Sequence, residues 1–258
     1  MRGNSTTALA GFNSSEVYHV RSCLYSCSSL KVLTLRSCNL EFCGNAQWNQ
    51  LECLKIITTD VINQMLSGTP QLKVFYLSYV DKGGNLSIQS TSLKELYIQK
   101  FILAREDFLV VSELRICTPN LETLEIKGVP YKKYSLTDVS SLTRAVFGLL
   151  LFCHIMLTRF SNPLSQILPS VQHAENVTLS DCCTKVVDAM KMKCTRSAFP
   201  NVKSLELKCC YKQVVVTLEI FPQLERLVIE NTSKMTPSRS SLRQFSLMSS
   251  PSSSVEDN

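Results

Sequence analysis

The chain has 258 residues, 45% of them hydrophobic, and a formal net charge of +6. That is enough apolar material for a sizeable core, in one large domain or two small ones. The basic residues are scattered and form no stripe, so nucleic-acid binding is not expected.

Residues 1–16 lack the long apolar region of a secretory signal and are expected to be a disordered N-terminal segment. Val17, Val20 and Leu24 then lead into Leu30 as an irregular first unit, expected to cap an array of repeats. Leu30–Leu40 reads LKVLTLRSCNL, an L-x-x-L-x-L string ahead of a cysteine. The same string recurs from Leu51, Leu72, Leu93, Leu121, Leu142, Ala174, Val202 and Leu224. The first four copies are 21 residues apart, and the later gaps are 28, 21, 32, 28 and 22. LTRAVF at Leu142 and AENVTL at Ala174 are the degenerate copies. Thr69-Pro70, Thr118-Pro119, Phe199-Pro200 and Phe221-Pro222 each precede a copy, with Ser29, Ser92 and Ser141 in the corresponding place elsewhere. Proline there is expected to preset an extended backbone.

Between these strings the connectors carry helical signals. Thr58-Thr59-Asp60 offers a cap, Val61, Ile62, Met65 and Leu66 form a helical stripe, and Gly68 with Pro70 stops it. Glu106–Ile116 and Lys185–Lys193 are expected to repeat that arrangement. Gly83-Gly84 reads as a turn. Ala145–Leu157 is the most apolar run, but its 13 residues fall short of the ~20 needed to span a bilayer. It reads as a buried strand and its connector, and no membrane association is expected. From Thr236 the pattern stops, and residues 236–258 read as a disordered Ser/Pro-rich tail.

A period of 20–29 residues on this string is the mark of a leucine-rich repeat. In Val32-Leu33-Thr34-Leu35-Arg36 the two leucines share one face and the other three residues share the opposite face. A single strand cannot bury its apolar side alone, whereas stacked copies form a parallel sheet over a continuous core. The expected fold is therefore an α/β leucine-rich-repeat solenoid over residues 17–235, a curved parallel sheet on one face and helices and loops on the other. Nine strands at about 4.8 Å would give a sheet roughly 40 Å across. Its open face would carry the variable residues Arg36, Lys55, Tyr76, Tyr97, Glu125, Lys127, Glu206 and Lys208, the candidate partner-binding set. Tyr76 and Tyr97 hold the same place in adjacent copies and should stand side by side. They either cover the sheet as a stacked pair or anchor a partner, since exposed aromatics concentrate binding energy.

The chemistry-bearing residues point away from catalysis. None of the twelve cysteines forms a Cys-x-x-Cys pair, and His19, His154 and His173 each stand alone, so no metal site is expected. Cys38, Cys182 and Cys210 share one repeat slot and read as buried structural thiols, reduced in a cytosolic or nuclear setting. Five Asn-x-Ser/Thr sequons, including one at Asn176 inside an expected strand, read as coincidental. No nucleophile–base spacing and no Gly-rich phosphate loop occurs, so neither an enzyme nor a cofactor site is expected.

Leu24–Leu40 (LYSCSSLKVLTLRSCNL), Cys117–Gly128 (CTPNLETLEIKG), Asp138–Ala145 (DVSSLTRA) and Ile167–Ser180 (ILPSVQHAENVTLS) resemble the plant F-box/leucine-rich-repeat family with an FBD-type C-terminal region. FPNVKSLEL and FPQLERLVIEN extend the likeness to about residue 235. The resemblance implies a receptor that holds a target protein on its repeats and joins it, through an upstream F-box and a Skp-type adaptor, to a cullin ubiquitin ligase. The 29 residues before Leu30 show no three-helix F-box pattern. The expectation is thus a non-catalytic protein-interaction module, the substrate-recognition part of such a receptor. The alternative is a repeat-only scaffold or competitor without a ligase link.

Overall fold

The repeated strings become strands because each alternates apolar and variable residues across a short stretch that a turn has already pointed in one direction. The computed structural model describes residues 7–10, 18–19, 22–36, 38–39, 46–57, 62–80, 85–101, 113–149, 167–180, 183, 199–209 and 220–231. In chain order the strands are β1 (Thr7–Ala10), β2 (Tyr18–His19), β3 (Val32–Leu35), β4 (Cys38–Asn39), β5 (Cys53–Ile56), β6 (Val74–Val80), β7 (Leu86–Gln89) and β8 (Glu95–Phe101). They continue with β9 (Glu113–Cys117), β10 (Thr123–Gly128), β11 (Lys133–Thr137), β12 (Arg144–Leu149), β13 (Asn176–Ser180), β14 (Ser204–Cys209) and β15 (Arg226–Asn231). A short helix, α1 (Ile62–Ser67), follows β5, and residues 167–170 are also helical. The class is α/β, with parallel strands and few helices.

A ten-stranded sheet takes its strands in chain order, β1-β3-β5-β6-β8-β10-β12-β13-β14-β15. Its register is that of the sequence pattern. Leu33, Leu54, Phe75, Leu96, Leu124, Ala145, Val177, Leu205 and Leu227 are successive partners in one column. All but Leu227 lie in the core. The degenerate strings at Leu142 and Ala174 sit in the same register as the rest, with Ala145 and Val177 taking the leucine place. Small residues suffice there because the neighbouring rungs supply the surface to be covered. Each interior leucine so placed contributes about 1.5–3 kcal/mol of burial.

A backbone ladder fixes the start of every rung. The Lys31 carbonyl accepts the amides of Glu52 and Cys53 at 2.8 and 3.1 Å, and the same paired acceptance recurs at Glu52, Lys73, Lys94, Glu122, Thr143, Glu175 and Lys203. Side chains at this position form ion pairs between adjacent rungs, Lys73–Glu52 at 2.9 Å, Lys94–Glu122 at 2.7 Å and Lys203–Glu175 at 3.0 Å. They are exposed, so they favour the register weakly.

The proline lead-ins differ from the extended segments expected. Leu72 N–H donates to Thr69 O at 3.1 Å and Leu121 N–H to Thr118 O at 3.1 Å, which closes a turn across Pro70 and Pro119. Proline's fixed φ suits the second position of such a turn, where its missing N–H is not required.

The back of the molecule also differs from the expectation of helices and loops. β7, β9 and β11 form a second parallel sheet in the order β11-β9-β7. Leu86 pairs with Leu114, which pairs with Tyr134, and Ile88 pairs with Ile116. All five side chains are buried in the core shared with the main sheet. The expected helix over Glu106–Ile116 is therefore corrected at its end, because 113–116 belong to β9. Glu113-Leu114-Arg115-Ile116 has a period of two, and both neighbours offer a matching column. α1 matches the stop at Gly68, and Val61 lies outside the described residues. Within 1–16, expected to be disordered, Thr7–Ala10 pairs in parallel with β3. Of Ala145–Leu157, the first five residues are in β12. The rest of that run, Lys185–Lys193 and the 236–258 tail lie outside the described residues.

Candidate functional site

The open face of the main sheet is built from the strand positions that alternate with the buried leucines. Its central column runs Thr34, Lys55, Tyr76, Tyr97 and Glu125, all register partners. A shallow depression of about 390 Å³ lies over this column. Arg36, Lys55, Tyr76, Tyr97 and Glu125 line it together with Ile57, Ser78 and Gln99 from the next column.

The two tyrosines stack with ring centroids 4.3 Å apart and planes 6° from parallel. Direct register between β6 and β8 sets the strand spacing close to ring-stacking distance. The Lys55 ammonium lies over the outer side of the Tyr76 ring, 4.3 Å from its centroid. Tyr97 donates its hydroxyl to Glu95 Oε2 at 2.7 Å. Burial first, and the bond to Glu95 second, push that hydroxyl well above the ordinary tyrosine range, so it stays protonated. Lys127 pairs with Glu125 at 2.7 Å. The half-buried Cys53 thiol is raised above its ordinary value by burial, which keeps it a weak nucleophile.

The structure thus brings five of the eight sequence-named residues to one depression and places Lys127 at its edge. Glu206 and Lys208 stand apart on β14. Lys208 bridges Glu206 at 3.2 Å and Glu230 at 2.8 Å, and Thr178 donates its hydroxyl to Glu206 at 3.2 Å. Hydrogen bonds donated to Glu230 and then to Glu206 hold the Lys208 ammonium above its ordinary value. These residues form a separate polar network.

Ile57, Ser78 and Gln99 escaped the sequence reading, although each lies two residues beyond a column residue and alternation would have found them. A second group had no such signal. Lys100, at the end of β8, is 2% exposed and holds its ammonium 4.2 Å from the Tyr131 ring centroid. Tyr79 and Tyr131 hydrogen-bond through their hydroxyls, and the Tyr131 amide donates to the Tyr134 hydroxyl at 3.0 Å. Burial drives the Tyr134 hydroxyl far above its ordinary value. Gly128, at a φ of 89°, passes so close that a Cβ would fall 1.9 Å from the Lys100 carbonyl oxygen. This cluster is enclosed beside the turn after β10.

On the back sheet, Glu113 accepts from Arg115 at 2.7 Å and pairs with Lys133 at 3.0 Å. Arg115 first and Lys133 second hold its carboxyl down at about 2. Among the described residues no helix is long and apolar enough to cross a membrane. Compared with family models, curated proteins and solved structures, the chain has no match.

Proposed function

We propose that this chain is a leucine-rich-repeat solenoid acting as a non-catalytic protein-interaction module, the substrate-recognition part of an F-box-type ubiquitin-ligase receptor. The observation that carries the reading is the open sheet face. Its column of Lys55, Tyr76 and Tyr97 lies over a depression that is broad and shallow. An aromatic pair flanked on one side by a cation suits a protein surface, where a few aromatic and basic anchors dominate affinity. The F-box half of the proposal rests on the resemblance of residues 17–235 to that family, and the target itself is a protein held on the open face or its adjoining loops.

A second reading is a repeat-only scaffold, or a competitor that occupies targets, with no ligase link. Co-purification with a Skp-type adaptor separates the two readings. For target binding, proximity labelling of wild type is compared with a variant carrying Tyr97→Ala, Lys127→Glu and Lys208→Glu. The variant should lose most specific partners while keeping its circular dichroism spectrum. An unchanged set of partners would overturn the open face as the binding surface.

A further inference from the structure

The open face is electrically uneven. On the rungs of β3, β5 and β6 its three positions per rung carry two cations, Arg36 and Lys55, and no carboxylate. Carboxylates begin at β8, and the two nearest are already engaged, Glu95 by the Tyr97 hydroxyl and Glu125 by Lys127. Lys55 is exposed and held in place over the Tyr76 ring, so its charge is positioned before any partner arrives. Ile57 lines the same depression as both cations and is 46% exposed. Among the described residues only Leu227 is another large apolar side chain so left in water.

We propose that this depression binds an extended acidic segment of a partner protein. A carboxylate sits between Arg36 and Lys55, and an apolar side chain rests on Ile57 and the edges of the Tyr76–Tyr97 stack. The proposal rests on the protein-binding reading above and adds the chemistry of the partner. The cation pair and the aromatic pair are about two strand spacings apart, roughly 10 Å, which an extended chain covers in about three residues. The preferred segment therefore places a glutamate or aspartate three residues from a leucine-like residue. Charge-assisted contact with Lys55, preplaced over the Tyr76 ring, supplies the sign of the preference, and the apolar contact supplies the register.

The test uses the full chain and fluorescein-labelled peptides of the repeat Glu-Gly-Ser-Leu, with twins that carry Gln or Lys in place of Glu. Fluorescence polarisation should show the Glu peptide binding about tenfold tighter than the Gln twin, with the Lys twin weaker still. Added salt should erode the Glu advantage selectively. Arg36→Glu with Lys55→Glu should reverse the order. Lys55→Gln alone, a change at an exposed position that keeps the fold, should remove much of the Glu-over-Gln difference. Equal binding of the Glu and Lys peptides, an order unmoved by these variants, or no binding of any peptide overturns the acidic preference. If the peptides show no order while the Tyr97 variant still loses its partners, the acidic preference alone falls. Capture that is identical in wild type and the Tyr97 variant overturns the protein-binding reading beneath it.

Discussion

Tyr76 and Tyr97 stack at 4.3 Å although 21 residues separate them. The separation is one spacing of the sequence pattern, and parallel pairing of β6 with β8 turns that spacing into a ring contact. Stacked aromatics contribute about 0.5–1.5 kcal/mol beyond their burial. A double-mutant cycle on Tyr76→Ala and Tyr97→Ala, read by urea unfolding, should return a coupling of about that size. A coupling near zero would mean that the rings are neighbours without being partners.

Position within the leucine column should decide the effect of truncation. Leu124 has covered rungs on both sides and is fully buried, so Leu124→Ala should destabilise by about 2–5 kcal/mol. Leu227 holds the same place on β15 but is 37% exposed. Leu227→Ala should cost clearly less, about 1–2 kcal/mol, because over a third of its surface stays in water. Equal losses in denaturant titrations would contradict a core that is continuous through β10 and thin at β15.

Gly128 combines a left-handed backbone with close approach to the Lys100 carbonyl. Gly128→Ala should cost about 1–3 kcal/mol from backbone strain, with the collision adding to it. Thermal unfolding should fall accordingly. A neutral substitution would show that the turn after β10 is free to relax.

The back sheet should be acid-sensitive through Glu113. Its folded value of about 2 lies below its ordinary value of 4.5. The unfolded state therefore binds the proton more readily. The contribution is fully present above about pH 4.5 and is lost as the pH falls toward 2. Glu113→Gln should lower the melting temperature at neutral pH and flatten its decline over that interval. Parallel melting curves for wild type and variant across the window would remove Glu113 as the source.

Much of the main sheet was readable before folding. The lead leucines and the L-x-x-L-x-L spacing specify which residues face inward, because a two-residue alternation admits one choice of face and a repeated one locks each rung to its neighbour. Even LTRAVF and AENVTL, poor matches taken singly, adopt the common register because the rungs beside them fix it. The pairing of Tyr76 with Tyr97 comes from the same count. The second sheet was harder to see. Leu86-x-Ile88 and Leu114-x-Ile116 are too short to signal strands alone, the second fell within an expected helix, and each becomes a strand only when another connector offers it a partner.

What the amino-acid sequence determined by itself is the period, the inward face and the set of side chains on the open surface. Those depend on local alternation and on identical spacing, which need no knowledge of distant contacts. The tertiary structure alone decided which surface residues share a depression, why Glu206 and Lys208 belong elsewhere, and how Lys100 is enclosed among tyrosines. Those outcomes depend on distances across rungs and on what the connectors cover, and residue order does not encode either locally.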